Sequence, residues 1–200
     1  MKKAILGGSF NPIHNGHLMM AECAHKQFDL DDIIVIPNKT TYYKKNKVFV
    51  SDEHRINMIK LAIEDKTYLS FSDMEIVRGG VTHTIDTIHE FQKLYPGADL
   101  YFIIGGDSLE WVDRWVSAEE LLSSVIFLSA VRGDTDKKRS LEIIKRIQGQ
   151  YPESKIELLD MEDYPISSSD IRDKIKNGED VREMLPEAVY KYIIQNGCYL

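Results

Sequence analysis

Gly7-Gly8-Ser9-Phe10-Asn11-Pro12-Ile13-His14-Asn15-Gly16-His17-Leu18 follows directly on the apolar run Ala4-Ile5-Leu6. A short strand that runs into paired glycines, and from there into a helix, brings backbone N–H groups against an anionic ligand at the helix N-terminus. The string lacks the Gly-Lys-Ser/Thr of a Walker loop and the spacing of a GxGxxG dinucleotide fingerprint. His14 and His17 stand three residues apart at the helix start, so both imidazoles can face one phosphate beside the amides. Donors placed there would stabilise charge that builds on a phosphate during in-line transfer, with no covalent step. As metal ligands the two are weak, because no carboxylate or third histidine lies close in sequence, and no protein metal site is expected. His25, His54 and His89 lack such a context and read as structural.

Outward from this junction, short β-branched runs alternate with amphipathic stretches. Residues 4–6, 33–36, 69–71, 100–104, 125–128 and 156–159 read as strands, and helical periods lie near 16–28, 52–65, 84–95, 108–122 and 136–149. This alternation builds right-handed βαβ units, hence an α/β fold around a mostly parallel sheet with ligands at the carboxyl ends of its strands. Residues 38–50 (NKTTYYKKNKVFV) fit neither period, carry four lysines and read as a mobile basic loop leading into a helix capped by Ser51 or Asp52. Residues 132–139 (RGDTDKKR) read as a second polar connection. From Pro165 to Leu200 the pattern is helical, with Ser167 to Asp170 as a capping box, Gly178 ending one helix, Pro186 opening the next and Gly197 stopping it. This small C-terminal helical subregion (165–200) should pack on the sheet, within a single domain spanning 1–200.

Composition bounds the function classes. The net charge of −7, from 25 basic and 32 acidic residues, argues against a nucleic-acid partner, so an anionic ligand must be held by local donors. No apolar run approaches the roughly 20 residues of a membrane span, and the apolar run after Met1-Lys2-Lys3 is too short for an export signal, so a cytoplasmic location off the membrane is expected. Cys23 and Cys198 form no CxxC pair and read as buried free thiols.

Two further segments carry chemistry. Pro165-Ile166-Ser167-Ser168-Ser169-Asp170-Ile171-Arg172 sets serines before a helix and an arginine on its first turns, presenting amides, hydroxyls and a guanidinium to a phosphate. Ordinary capping is the plainer reading of the serines. An Arg172 committed to ligand alone would leave thermal stability almost unaffected when replaced. Ile103-Ile104-Gly105-Gly106-Asp107 ends a strand in glycines and an acid able to accept from ribose hydroxyls, or simply to cap the next helix.

The two phosphate segments together resemble the HxGH and ISSxxIR signatures of the nucleotidylyltransferase superfamily. That resemblance implies a Rossmann-like three-layer α/β/α fold, ATP with Mg²⁺ as substrate, and direct displacement of pyrophosphate. On the matching positions it makes His14, His17 and Arg172 the catalytic donors. It assigns Gly8, Ser9, Phe10, Gly16, Gly105, Asp107, Ile166, Ser167 and Ser168 to ATP.

Three weaker segments extend the resemblance to the bacterial nicotinate mononucleotide adenylyltransferase family. Arg78-Gly79-Gly80-Val81-Thr82-His83-Thr84-Ile85-Asp86-Thr87 resembles its arginine, Ser-Tyr-Thr and Asp-Thr pattern, which implies a nicotinate carboxylate near Thr84. Trp115 resembles the tryptophan that stacks on the pyridine ring, although Trp111 and Trp115 at i and i+4 also fit a core stripe. Arg132 resembles the arginine associated with the mononucleotide phosphate, and Lys44 the end of a Pro-Pro-His-Lys loop. Departures are Asn11 where aspartate is frequent, His83 for tyrosine, and Thr41-Tyr42-Tyr43 for Pro-Pro-His. The implied partners are ATP and nicotinate mononucleotide, giving deamido-NAD for NAD biosynthesis; a homo-oligomer is compatible. Alternatives are a phosphopantetheine or other mononucleotide adenylyltransferase, and a catalytically silent nucleotide-binding regulator, which a missing histidine or arginine would favour. An aminoacyl-tRNA synthetase is set aside for want of a KMSKS-like segment and of room for an anticodon-binding domain.

Overall fold

The computed structural model describes residues 1–39, 50–162 and 164–200, with Arg132 described by its backbone alone. In chain order lie β1 (Lys2–Gly8), α1 (Asn15–Phe28), β2 (Asp32–Pro37), α2 (Asp52–Ile63), β3 (Leu69–Phe71), α3 (Met74–Arg78), α4 (Thr84–Leu94), β4 (Asp99–Ile104), α5 (Gly106–Leu109), α6 (Ala118–Ser124), β5 (Ile126–Arg132), α7 (Gly133–Gln150), β6 (Lys155–Met161), α8 (Ser168–Lys176) and α9 (Glu187–Gln195). The six strands pair in the order β3-β2-β1-β4-β5-β6, all parallel, which is the Rossmann-like α/β arrangement that the alternation predicts. The order reverses between β1 and β4, so the crevice for ligands lies beyond Gly8 and Ile104.

A sheet covered on both faces needs apolar residues at every position, and Ile33, Ile34, Val35 and Ile36 of β2 are accordingly all buried. Alternate side chains feed two cores. Ala4, Leu6, Val35, Ile103 and Leu128 meet residues of α1, α2, α8 and α9 on one face, whereas Ile5, Ile34, Phe102 and Phe127 meet α4, α6 and α7 on the other. In α1 the residues buried are Ala21 and Ala24, small enough to let that helix lie close against the sheet. The tail belongs to the first of these cores: Ile171, Val189 and Ile193 are fully buried, each contributing roughly 1.5–3 kcal/mol. Ser167 caps α8 by accepting the Asp170 N–H at 3.1 Å, and its own hydroxyl donates to the Asp170 carboxylate at 2.7 Å.

Three sequence expectations change. The helix expected over 108–122 is broken into α5, a single 3-10 turn (Val112–Arg114) and α6, with Trp115 extended and Ser117 left-handed at φ 54°. Trp111 is consequently half-exposed to solvent, while the Trp115 ring meets Phe102 and Phe127 edge-on, so there is no helical tryptophan stripe. The polar connection expected over 132–139 is the end of β5 and the first turns of α7. Its charged start faces solvent with Asp134 and Asp136 at the positive helix end, and the buried positions Ser140, Ile144 and Ile147 begin only later. Cys198 is buried as expected, but Cys23 is only half-buried; both thiols are free.

Candidate active site

The segment after β1 turns back on itself. Phe10 takes a left-handed φ of 43° and is buried, with its ring folded over Gly8, where an added Cβ would lie 3.0 Å from it. The turn is held by a residue that the motif reading missed. Arg55 of α2, only 1% exposed, donates to the Ser9 carbonyl at 2.7 Å, to the Asn38 carbonyl at 2.8 Å and to the Asp52 carboxylate at 2.6 Å. A buried guanidinium is costly unless its donors are used, and these three bonds tie the turn to the end of β2. The signal was present in sequence: Arg55 shares its helical stripe with Met58, Ile59 and Ala62.

His14 and His17 come together as the spacing predicts, their rings stacked with centroids 3.7 Å apart and 27° between planes. The His14 N–H donates to Nδ1 of His17 at 3.2 Å. A neutral His17 ring therefore carries its proton on Nε2, leaving a donor at the far edge. The Phe10 ring stands edge-on to His17 at 5.0 Å. Gly16 is required beside them, because an added Cβ would sit 3.2 Å from the His14 ring.

The second motif crosses to the first. The Ser168 hydroxyl donates to the Pro12 carbonyl at 2.9 Å. Arg172 donates to the Asn11 carbonyl at 2.8 Å, to the Ser168 carbonyl at 3.1 Å and to the Ser169 hydroxyl at 3.0 Å. Arg172 is thus a tie between loop and helix as well as a cation at the crevice, contrary to the expectation that its loss would leave stability untouched. Ile166 packs half-buried against the same core. A second unanticipated residue closes this end: Tyr199, at φ 69°, donates its hydroxyl to Asn11 Oδ1 at 2.9 Å. Burial pushes that phenol far above its ordinary range, so it stays a donor.

At the end of β4, Gly105 precedes α5 with Asp107 curled against it: an added Cβ would come within 2.7 Å of the Asp107 carboxylate. Asp107 is otherwise exposed, and Gly106 lies against the Ala130 carbonyl with room for no side chain. Thr84 opens α4, whose first-turn amides receive no side-chain cap from His83 among the described residues. Trp115 lies in an open hollow with Asp113, Ser117 and Tyr151, and its ring partners are the two core phenylalanines. Nothing among the described contacts joins it to Thr84. Lys44 lies outside the described residues, and Arg132 ends β5 with its side chain outside them. His25 stacks on Tyr68, His54 meets the Tyr192 hydroxyl and His89 meets Glu120, all structural roles as expected.

Residues 5–174 match the family model described as cytidylyltransferase-like. The whole chain is 43% identical to 99% of a protein of Lachnoclostridium phytofermentans named "Probable nicotinate-nucleotide adenylyltransferase". A protein of Desulfitobacterium hafniense with the same name is 39% identical over 98% of this chain and 94% of its own. Among solved structures, the Plasmodium falciparum nicotinic acid mononucleotide adenylyltransferase complexed with NaAD superposes with a TM-score of 0.80, covering 100% of this chain and 98% of that one. At 24% identity this likeness carries the fold alone.

Proposed function

The chain belongs to the nicotinate-nucleotide adenylyltransferases of the cytidylyltransferase-like family, and from that premise we propose how it works. It is a nucleotidyltransferase that moves AMP from ATP to nicotinate mononucleotide. A phosphate oxygen of the acceptor attacks the α-phosphorus of ATP, the bond to the β-phosphate breaks, and deamido-NAD and pyrophosphate leave. The observation that carries this reading is the cross-bonding of the two motifs, Ser168 to Pro12 and Arg172 to Asn11, which sets stacked His14 and His17 and the Arg172 guanidinium around one crevice.

Each role follows from a local feature. The Nε2 donor of His17 and the His14 ring face the triphosphate, where donors fixed before the reaction stabilise developing charge without reorganising. Arg172 neutralises the outgoing pyrophosphate. Gly8, Ser9, Phe10 and Gly16 supply the turn against the phosphates, Gly105 and Asp107 the ribose contact, and Ile166, Ser167 and Ser168 the far wall. Mg²⁺ enters on ATP as part of the substrate; among the described residues no group of three His, Cys, Asp or Glu is placed to hold a metal. Thr84, Trp115, Lys44 and Arg132 receive the acceptor. We read the chain as one domain, because the tail shares its core with β1, and as a cytoplasmic enzyme.

The test is pyrophosphate release from MgATP with nicotinate mononucleotide, nicotinamide mononucleotide or phosphopantetheine as sole acceptor. Turnover fastest with nicotinate mononucleotide is expected. Turnover with phosphopantetheine alone, or ATP binding with no turnover, would replace this reading.

A further inference from the structure

The turn between α3 and α4 is Gly79-Gly80-Val81-Thr82-His83, with both glycines at positive φ (70° and 74°) and open space around them. Nothing in these five residues is stiff, yet they deliver Thr84 and the first amides of α4 to the crevice. The stiffness lies behind them. Thr87, fully buried one turn into α4, donates its hydroxyl to Glu75 of α3 at 2.6 Å. The same oxygen accepts from Arg78 of α3 at 2.9 Å, and a different nitrogen of Arg78 donates to Glu90 of α4 at 2.8 Å. Glu75 is itself 6% exposed, and the buried Thr82 hydroxyl stands against it. The hydrogen bonds therefore run in one direction, guanidinium to threonine to carboxylate, and bridge the two ends of a glycine turn.

We propose that Glu75, Arg78 and Thr87 form a positioning clamp that fixes the acceptor end of the site, so that recognition of the nicotinate carboxylate depends on this chain of hydrogen bonds behind Thr84. The proposal rests on the acceptor reading above. The clamp is built for position more than for bulk stability: it joins a five-residue helix to its neighbour through polar groups, where an apolar contact would have held the two together equally well. It also accounts for why arginine and threonine occur together on either side of this turn, since the two side chains touch. ATP is held by β1, α1 and α8, on which the clamp does not bear.

The experiment compares wild type with Thr87→Val, Thr87→Ser and Arg78→Lys, recording KM for each substrate, kcat and Tm. Valine keeps the volume and removes both hydrogen bonds; serine restores the hydroxyl. Lysine can reach Glu90 but cannot meet Glu90 and Thr87 with two separate nitrogens. Thr87→Val should raise KM for nicotinate mononucleotide roughly tenfold, with KM for ATP within about twofold. Thr87→Ser should recover most of that loss, and Arg78→Lys should raise the same constant about threefold. A variant that lowers Tm while shifting both KM values equally, or neither, overturns the clamp. Should the valine variant fail to fold, Arg78→Lys decides alone: an unchanged acceptor KM overturns the proposal. A wild type that does not turn over nicotinate mononucleotide would instead overturn the acceptor reading, and the clamp's assignment with it.

Discussion

At the residue scale the chemistry depends on where two imidazole rings are held. The His14 N–H fixes the His17 ring by its Nδ1, and Gly16 leaves the only space in which the His14 ring can lie beside it. Replacing Gly16 with alanine sets two effects against each other. Alanine gains up to about 1 kcal/mol of helix propensity, while its Cβ presses on a ring that has little freedom to yield. Gly16→Ala should therefore keep its Tm within a few degrees and lose most of its turnover; full activity would show that the His14 position is uncritical. His17→Ala should lower kcat by roughly 30- to 1000-fold, the equivalent of about 2–4 kcal/mol of transition-state stabilisation, with a smaller change in KM for ATP. Unchanged kcat would remove His17 from the reaction.

Elements decide which of these residues also hold the fold. Arg172 satisfies two carbonyls and a hydroxyl across α8 and the phosphate turn, a set that a lysine point charge cannot match. Arg172→Lys should lose activity and also stability, by about 1–3 kcal/mol, which calorimetry would register as a Tm several degrees lower. A stable but inactive variant would restrict Arg172 to the ligand. The α3–α4 pair carries a pH signature of its own. Burial pushes the Glu75 carboxyl above its ordinary value of 4.5, against the opposing pull of the Thr87 hydroxyl and Arg78. With the folded pKa above the unfolded one, the native state binds the extra proton between the two. The stability this group contributes is present below the unfolded value and is lost as pH rises through the folded one. In Glu75→Gln the decline of Tm with rising pH above about 4.5 should be shallower than in wild type. Parallel profiles for the two proteins would mean that Glu75 titrates as it does unfolded.

On the scale of the whole molecule, the sheet separates the two substrates. Phosphate machinery for ATP rises from α1, α2, α8 and α9 on one face, and Thr84 and Trp115 belong to elements packed on the other. The reacting groups meet only beyond Gly8 and Ile104, where the strand order reverses. Acceptor choice can therefore be tuned without disturbing ATP. Uncapped amides and the Thr84 hydroxyl at the start of α4 match two carboxylate oxygens, whereas an amide would turn an NH₂ toward donors and leave buried groups unpaired, at about 1–3 kcal/mol each. A kcat/KM at least about tenfold higher for nicotinate than for nicotinamide mononucleotide is expected, with equal ATP constants. Equal values for the two acceptors would refute this account of the pocket.

Local patterning determined much of this protein. Alternating strands and helices, apolar on both sheet faces, leave a parallel α/β sheet as the one way to bury them, and a strand, two glycines and a helix already make an anion site at residues 7–18. The HxGH and ISSxxIR strings were legible because each needs only its own short segment. Periodicity failed where backbone served packing instead: at Trp115, whose extended backbone turns its ring onto Phe102 and Phe127, and at residues 133–139, where a helix faces solvent and shows no apolar stripe. The partners of the site residues come from far along the chain: Arg55 reaches Ser9, Arg172 reaches Asn11 across 161 positions and Tyr199 reaches Asn11 across 188. Such pairings have no period and no local propensity. They exist only once the strand order has closed the crevice, and for that reason the tertiary structure alone decided them.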